Sequence, residues 1–255
     1  MSTEGKSKAW FDHEYANSNG DPWGLGWRPS QAFRYEKMLD VLRTSVQGLE
    51  QGVTVLDIGC ATGAFTDSLR RAFRGCNVIG ADFAVPAIER ARVGFPDTHF
   101  EVMRLDEIDR RHEGQVYIVT LLEVLYYIPE AERLGVLERV QKCLASEGYV
   151  LVSSMVGNIP YFSAGQLAAL VSQQFDVIDQ GQIYAKPISF LEKVALRYAR
   201  LKSRLGFSPD TWIERILRRG ITVQRLKSLE GLFKRLLGKH AVSHVYVLAK
   251  KRPEV

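Results

Sequence analysis

Short apolar runs alternate with amphipathic stretches through the middle of the 255-residue chain. Runs of this length are typical of buried strands, and the stretches between them repeat with the period of a helix. Strands separated by helices predict an α/β fold with a mostly parallel sheet that is covered on both faces. The predicted strands are residues 53–58, 77–81, 99–105, 115–122 and 148–154, and the helices between them are 64–73, 86–93 and 129–144.

The carboxyl-terminal third of the chain has a different pattern. Residues 175–184 and 241–250 alternate between apolar and polar positions, which predicts two antiparallel strands. The segment between them, 186–239, carries helical stripes, and one of its helices begins at the Ser208–Pro209 start signal. The helices predicted outside the central pattern are 30–46, 165–173, 188–205, 209–219 and 222–237.

These patterns predict a division of the chain into four parts. An aromatic-rich lead with a cap helix precedes the α/β core, and a helical insert separates that core from its final strand. The parts are residues 1–50, 51–185, 186–239 and 240–255 in that order.

The turn after the first predicted strand is the most informative stretch of the chain. The strand ends at Asp57, and Gly59 and Gly63 follow in a loop that opens a helix. Glycines allow backbone to approach a ligand closely, and open parallel sheets bind ligands at such strand-to-helix turns. Ala61 and Ala64 break the Gly-x-Gly-x-x-Gly pattern of nicotinamide-type sites, so a dehydrogenase is the least supported function.

Two more acids end the next two predicted strands. Asp82 stands nineteen residues after Gly63, where an acid can accept hydrogen bonds from both hydroxyls of a ribose. Asp106 ends the third strand, and Leu105 precedes it. Three acids at successive strand ends indicate a nucleoside-binding crevice.

The glycine loop and the three acids resemble the motifs of the Rossmann-like methyltransferases that use S-adenosylmethionine (SAM). The resemblance implies a seven-stranded, mostly parallel sheet with an antiparallel edge formed by its last two strands. It also implies that Asp57 and the glycine loop hold the amino-acid end of SAM, that Asp82 binds the ribose, and that Asp106 binds the adenine amino group. The cofactor-binding residues expected on this basis are Asp57, Gly59, Cys60, Gly63, Asp82, Phe83, Leu105, Asp106 and Glu123.

Composition places few further limits on function. Hydrophobic and charged contents of 46% and 25% are ordinary for a globular protein. The chain has no apolar run long enough for a membrane span and no apolar core of a signal peptide at its start, so we expect a cytoplasmic protein. Its three cysteines are too widely spaced for a disulfide framework or a zinc site, and its histidines show no metal-ligand spacing, so no metal is expected.

The charge is unevenly distributed. Residues 186–239 contain fourteen Lys or Arg and four Asp or Glu, a net charge of +10, so the remainder of the chain carries −5 of the total +5. This insert is either a helical cap with a solvated basic face or a basic amphipathic element that contacts anionic lipid or a phosphorylated substrate. Nucleic acid is a less favoured partner because aromatic residues do not alternate with the basic ones. The oligomeric state is not predicted.

Glu123 is the first candidate for a catalytic group. It is the only charged residue in the apolar run 116–128. Burying a carboxylate is costly unless it is paired, and burial favours its protonated form, which suits a general base or an amine-binding acid. A structural carboxylate bonded to loop amides is the alternative. Tyr126 is the second catalytic candidate, and Tyr127 is expected to line the acceptor pocket, although one of these two rings should belong to the core.

Residues 11–15, 21–24, 35–37 and 123–127 are similar to the nodulation NodS-type methyltransferases, which N-methylate an amino sugar of a chitooligosaccharide. The similarity covers residues 10–155 and implies that aromatic residues of the lead cover SAM or the acceptor. Aromatic faces suit sugar rings and shield a cation, although they could also only fasten the lead to the core. The expected substrate-binding residues are Tyr15, Trp23, Tyr35 and Tyr127, with His13 and Arg34 as weaker candidates near the site.

The sequence therefore predicts a SAM-dependent methyltransferase that acts on an amine or hydroxyl of a small molecule or glycan. One alternative is an acceptor that is lipid-linked or membrane-bound and is recruited by the basic insert. The other alternative, from a different class, is a protein that binds SAM or nucleic acid without catalysis.

Overall fold

The computed structural model describes residues 6–17, 21–25, 27–47, 49, 52–204 and 222–253. Seven strands form one sheet in the order β3-β2-β1-β4-β5-β7-β6. Neighbours among the first five strands are parallel, and β7 is antiparallel to both β5 and β6. The predicted seven-stranded fold with an antiparallel edge is thereby confirmed. The strands are β1 (Thr54–Ile58), β2 (Asn77–Asp82), β3 (His99–Val102), β4 (Val116–Leu122), β5 (Leu144–Met155), β6 (Phe175–Ile183) and β7 (His244–Lys251).

Helices cover both faces of the sheet. On one face α2, α3, α8 and α9 pack against the apolar side chains of β1, β4 and β5, and on the other face α5, α6 and α7 do the same. Ile188 of α8 and Leu226 of α9 belong to the same buried cluster as α2, so both described helices of the insert help to cover the core. The helices are α1 (Lys8–Asn17), α2 (Pro29–Ser45), α3 (Ala64–Ala72), α4 (Val85–Gly94), α5 (Ile108–His112), α6 (Arg133–Cys143), α7 (Ala164–Val171), α8 (Lys186–Arg204) and α9 (Val223–Leu237).

Most predicted elements agree with the structure, with differences at their ends. The third strand ends at Val102, and Leu105–Glu107 forms a 3-10 turn in which Glu107 accepts a hydrogen bond from the Arg104 amide. Strand β5 begins at Leu144, four residues before its predicted start, because that end also pairs with Val116. The helix predicted at 209–219 lies outside the described residues.

Helices α1 and α5 were not predicted. In α1, Phe11 and Tyr15 lie one turn apart and are buried against other parts of the chain. Helix α5 is a single short helix that buries only Ile108. In both cases tertiary packing supports a helix whose own sequence has a weak periodic signal.

The sheet order creates a crevice at the carboxyl ends of the strands. From the central pair β1 and β4, the chain proceeds outward in opposite directions, to β2 and β3 on one side and to β5 on the other. Loops that leave the two central strands therefore turn to opposite faces, and the space between them is where α/β sheets bind ligands. Within the described ranges, no helix has the length and apolar character that crossing a membrane requires.

Candidate active site

Two glycines shape the loop between β1 and α3. Gly59 and Gly63 have φ angles of +73° and +83°, a region that L side chains rarely adopt. A Cβ on Gly59 would lie 2.5 Å from Val124 Cγ2, and one on Gly63 would lie 2.5 Å from Phe100 Cζ. Gly63 is also the residue that starts α3, whose free backbone amides face the loop. The sequence thus needs glycine at both positions to bring a helix amino terminus to the crevice.

Asp57 is buried below this loop. Its Oδ1 accepts a hydrogen bond from Thr120 Oγ1 of β4 at 2.6 Å, and its Oδ2 accepts one from Thr66 Oγ1 of α3 at the same distance. Burial raises the pKa of Asp57 to about 6, against the opposite effect of the two threonine hydroxyls. The carboxyl group therefore links β1 to β4 and to α3 below the glycine loop.

Asp82 ends β2 and faces the same loop. Its Oδ2 accepts a hydrogen bond from the Ala61 amide at 3.0 Å, and its Oδ1 accepts one from the Ala84 amide at 2.9 Å. Burial raises the pKa of Asp82 to about 6, and the amide donors oppose that shift. Each carboxylate oxygen can accept a second hydrogen bond, so two hydroxyl groups of a ligand could bind here.

A cavity of about 500 Å³ opens next to Asp82 on the α6 side of the crevice. Its apolar lining includes Phe83, Leu105 and Ile128. Asp106 is at its rim, 55% exposed, and Arg104 Nε lies 2.9 Å from its Oδ1 and lowers its pKa. The lining also contains the charged residues Lys8, Arg104, Glu132 and Arg139, so the cavity has an apolar patch bordered by charged groups, which suits a flat heteroaromatic ring that carries an amino group.

Helix α1 lies over this end of the crevice. The Phe11 ring is 5.2 Å from that of Phe83 and 5.0 Å from that of Tyr127. Tyr15 is buried, and its ring is 5.0 Å from that of Trp23. Burial and then the charge of Asp82 raise the pKa of Tyr15 well above its usual value. The structure therefore brings three of the predicted aromatic residues, Tyr15, Trp23 and Tyr127, to one side of the site.

Tyr35 lies apart from that group. Its ring packs 5.0 Å from Phe65, and the Arg34 guanidinium lies 5.1 Å from its centre. Burial raises the pKa of Tyr35 to about 12, which Arg34 opposes and the charge of Asp57 supports. Tyr35 of α2 therefore lies on the glycine-loop side of the crevice, where its ring packs against α3.

Glu123 has partners that its sequence neighbours do not reveal. Its Oε1 lies 3.0 Å from Nη1 of the buried Arg34 in α2 and accepts a hydrogen bond from Ser153 Oγ at 2.8 Å. Its Oε2 accepts one from the Met155 amide at 2.9 Å. Glu123 is the only charged residue of the run 116–128, but in the folded chain it has a counter-ion, Arg34, from a helix far away in the sequence.

Arg34 is the least solvated cation of the site. Its side chain is 3% exposed, and among the described residues neither its Nε nor its Nη1 has a hydrogen-bond acceptor, although Nη1 forms an ion pair with Glu123. Burial is the largest influence and disfavours the charged form, but Glu123, Tyr35 and Tyr126 together oppose it and raise the pKa of Arg34. A buried guanidinium with an unused donor is a binding element for a carboxylate. His13, the other weak candidate, is exposed on α1.

Tyr126 is the core member of the tyrosine pair. It is buried in the main apolar cluster, and its ring is 5.0 Å from that of Tyr161 and 4.6 Å from that of Tyr127. Burial and then Glu123 raise the pKa of Tyr126 well above its usual value. Of the two neighbouring rings, Tyr127 is the one that reaches the aromatic group of α1.

Two functional candidates have no signal in the sequence. His244 at the start of β7 is buried, and its Nε2 is 3.9 Å from Glu123 Oε2. Burial lowers the pKa of His244 to about 4, against the effect of Glu123, so the imidazole is neutral at pH 7. His244 pairs with Met155 across the antiparallel strands β7 and β5, and the Met155 amide binds Glu123, so this pairing brings the imidazole near the Glu123 carboxylate. Nothing in the local sequence indicates the pairing.

The second unpredicted residue is Glu192 of α8, which is completely buried. Helix α2 starts at Pro29 without a side-chain cap of its own. The Glu192 carboxylate accepts hydrogen bonds from the Ser30 amide at 2.7 Å, from Ser30 Oγ at 2.5 Å and from Arg28 Nε at 2.8 Å. A carboxylate at a helix amino terminus satisfies free amides and complements the helix dipole. Glu192 therefore fixes the start of the helix that carries Arg34.

Comparison with known proteins places the chain in a family. The methyltransferase-domain family profile matches residues 30–235, which is most of the chain. The chain therefore belongs to the methyltransferase family. The expected resemblance to SAM-dependent methyltransferases of the NodS type is confirmed, and SAM is the cofactor that accompanies this class.

Individual relatives are more distant. A ubiquinone biosynthesis O-methyltransferase of Hydrogenovibrio crunogenus is 29% identical over 46% of this chain and 51% of its own length. Nodulation protein S of Azorhizobium caulinodans is 30% identical over 52% of this chain and 62% of its own length. The chain thus spans about half to three fifths of these relatives. The structure of N-methyltransferase NodS from Bradyrhizobium japonicum aligns over 100% of both chains with a TM-score of 0.61 and 16% identity, which shows the same fold.

Proposed function

We propose that the chain transfers the methyl group of SAM to an amine of a small molecule or glycan. The observation that carries the proposal is the opposed pair of buried groups at the crevice. Asp82 offers two acceptor oxygens at one end, and Arg34 offers an unused cationic donor at the other. SAM carries ribose hydroxyls and a carboxylate, which are the complements of these groups.

The described residues suggest where each part of SAM would bind. Asp82 would accept from the ribose hydroxyls, and Phe83 and Leu105 would contact the adenine, with Asp106 near its amino group. Arg34 and the amino terminus of α3 would bind the carboxylate, because both present donors to the glycine-loop side. Asp57 would act through the loop that it fastens, since each of its oxygens already accepts a threonine hydroxyl.

The choice of an amine rests on the groups that could take a proton. Glu123 is already bonded to three partners, so it suits the positioning of Arg34 better than general-base catalysis. Burial lowers the pKa of His244 to about 4, which makes the imidazole a weak base. An amine that arrives unprotonated needs no base, whereas a hydroxyl usually does.

The chain would contribute to the reaction mainly through orientation. SAM supplies a methyl group that its sulfonium already activates. Holding the acceptor in line with that carbon at near-contact distance lowers the barrier without any covalent step on the protein. Phe11, Tyr15 and Tyr127 would cover the crevice, exclude water and present ring faces to the acceptor.

A hydroxyl acceptor is the second candidate. The proximity of His244 to Glu123, 3.9 Å, favours it, because a carboxylate beside an imidazole supports proton uptake. Relatives named as ubiquinone biosynthesis O-methyltransferases also favour it.

Radiolabelled SAM distinguishes the candidates. The purified protein is incubated with the labelled donor and two acceptor panels, amino sugars and alkylamines in one, and phenols and catechols in the other. We expect label to enter the amine panel, with a rate that increases with pH as the acceptor amine loses its proton. Label in the hydroxyl panel alone, lost in His244→Gln, would support the second candidate. Tight SAM binding with no transfer to either panel would favour the non-catalytic alternative.

A further inference from the structure

The described part of α8 has two opposite faces with different surroundings. Ile188 and Glu192, four residues apart, are buried against the core and against the start of α2. On the opposite side Phe190, Leu191 and Val194 are 65%, 54% and 48% exposed. Residues three and four apart share a side of a helix, so these three side chains form one apolar stripe. We name this stripe the outer face of α8.

Cations border the outer face. Lys193 and Arg197 are four residues apart on the flank next to Phe190 and Val194, and Lys186 continues this row toward the start of the helix. All three are exposed, and none forms an ion pair with a carboxylate among the described residues. Along α8 an apolar stripe therefore lies beside a row of positive charge, with the core on the far side.

Helix α9 repeats this arrangement. Leu226 is buried against α2, whereas Leu232 and Leu236, four residues apart, are 46% and 69% exposed. Arg235 is exposed on the same turn, and Lys239 follows the helix. The two described helices of the insert therefore each bury one side and expose apolar side chains together with cations.

We infer that the outer face of α8, supported by α9, docks on the surface of an anionic lipid bilayer. A helix that lies in the interface buries an apolar stripe among the acyl chains and places its basic residues against anionic headgroups. The charge of the whole chain supports this orientation, because the insert carries +10 and the remainder carries −5. On docking, the described cations Lys186, Lys193 and Arg197 would lie against the anionic headgroups.

Other occupants match the observations less well. A second copy of this chain would bring the same row of cations to the same stripe, since a two-fold interface pairs identical patches. Nucleic acid would bind the cations but would leave Leu191 and Val194 without a complementary surface. An anionic bilayer complements both the apolar stripe and the basic flank.

Docking in this way would bring the end of the sheet that carries Glu123 and His244 near the membrane. Helix α8 begins shortly after Ile183, which pairs with His244, and His244 lies beside Glu123. If the chain is a methyltransferase of the proposed kind, an acceptor that is held in or near the bilayer could reach the site directly. This consequence rests on the proposed function, whereas the docking surface does not.

Vesicle sedimentation tests the docking surface. The full chain is mixed with vesicles of phosphatidylcholine alone and with vesicles of equal parts phosphatidylcholine and phosphatidylglycerol. We expect binding to the anionic vesicles only, weakened at high salt by screening. Lys193→Glu with Arg197→Glu should lower the partition coefficient at least tenfold, since one cation near such a surface contributes about fivefold. Phe190→Asp with Val194→Asp should also lower it at least tenfold.

Val93→Asp is the matched control, because Val93 is an apolar residue of α4 that is 84% exposed at the other edge of the sheet. It should leave sedimentation unchanged, and all variants should keep the wild-type melting temperature and SAM affinity. Equal binding to neutral and anionic vesicles, or equal loss in Val93→Asp, would overturn the inference. Light scattering that shows a dimer abolished by Phe190→Asp, together with no vesicle binding, would replace it with self-association. Because sedimentation needs no turnover, failure of the proposed methyl transfer would leave this result intact.

Discussion

The two ends of the crevice are built in different ways. At the Asp82 end, the carboxylate and the two amides that bind it, those of Ala61 and Ala84, lie within 24 residues of chain. At the Arg34 end, α2, β5, β7 and α8 contribute Arg34, Ser153, His244 and Glu192 to one cluster. The first end is local in sequence, and the second depends on the complete fold. SAM binding by the local Asp82 end should therefore tolerate substitutions elsewhere in the chain. A substitution in the Arg34 cluster should lower both the stability of the fold and the affinity for SAM.

The largest effect is expected for Arg34→Ala. Removing the guanidinium leaves Glu123, whose side chain is 14% exposed, without its counter-ion, and breaking a buried ion pair in this way costs up to about 3–5 kcal/mol of unfolding free energy. Urea denaturation of the variant measures this loss. The double variant Arg34→Met with Glu123→Gln is the control, since it removes both charges and should recover part of the stability. Additive losses in the double variant would show that the two residues do not form a coupled pair.

Asp82→Ala tests the local end of the comparison. We expect SAM affinity to fall at least tenfold in calorimetry, as two charge-assisted hydrogen bonds of about 1.5–3 kcal/mol would be lost. Asp97→Ala, an exposed acid before β3, should bind SAM like the wild type. Unchanged affinity in Asp82→Ala would remove this carboxylate from the cofactor site.

Glu192→Gln should have a smaller effect. The amide keeps the shape of the side chain but loses the charge that faces Arg28 and the start of α2, so we expect about 1.5 kcal/mol lower stability. Because α2 carries Arg34, SAM affinity should fall as well. Glu113→Gln, an exposed substitution, serves as the comparison. A loss of stability with unchanged SAM affinity would mean that Glu192 supports the fold without positioning the site.

The last prediction concerns pH. Burial raises the pKa of Asp82 to about 6, above the value of 3.8 that applies without it. A raised pKa means that the stability contribution of this group is present below about pH 4 and is lost as the pH increases through about 6. The melting temperature of the ligand-free protein should therefore fall over that window, and less so in Asp82→Asn.

SAM affinity should change in the opposite direction over the same window. The charged carboxylate is the better acceptor, so binding should weaken as the pH falls through about 6. Calorimetry at several pH values checks this. An Asp82→Asn variant with the same pH profile as the wild type would assign the titration to another group.

The same contrast explains what could be predicted from the sequence. The strand and helix segments of the core and the glycine loop follow from local periodicity and from residues that are close together, the antiparallel edge follows from the family resemblance, and Asp82 is expected from its spacing to Gly63. The partners of Glu123 could not be predicted, because the apolar run around it contains no opposite charge and Arg34 lies in α2, far away in the sequence. His244 and Glu192 were missed for the same reason: their importance comes from strand pairing and helix packing.

Calorimetric titration with two ligands tests the central claim most directly. The claim is that Asp82 and Arg34 bind opposite ends of one SAM molecule. 5′-Methylthioadenosine keeps the adenosine but lacks the amino-acid end. We predict that Asp82→Ala weakens both ligands at least tenfold, whereas Arg34→Ala weakens SAM but leaves methylthioadenosine nearly unchanged. Equal effects of Arg34→Ala on the two ligands, or no SAM binding by the wild-type protein, would contradict the account.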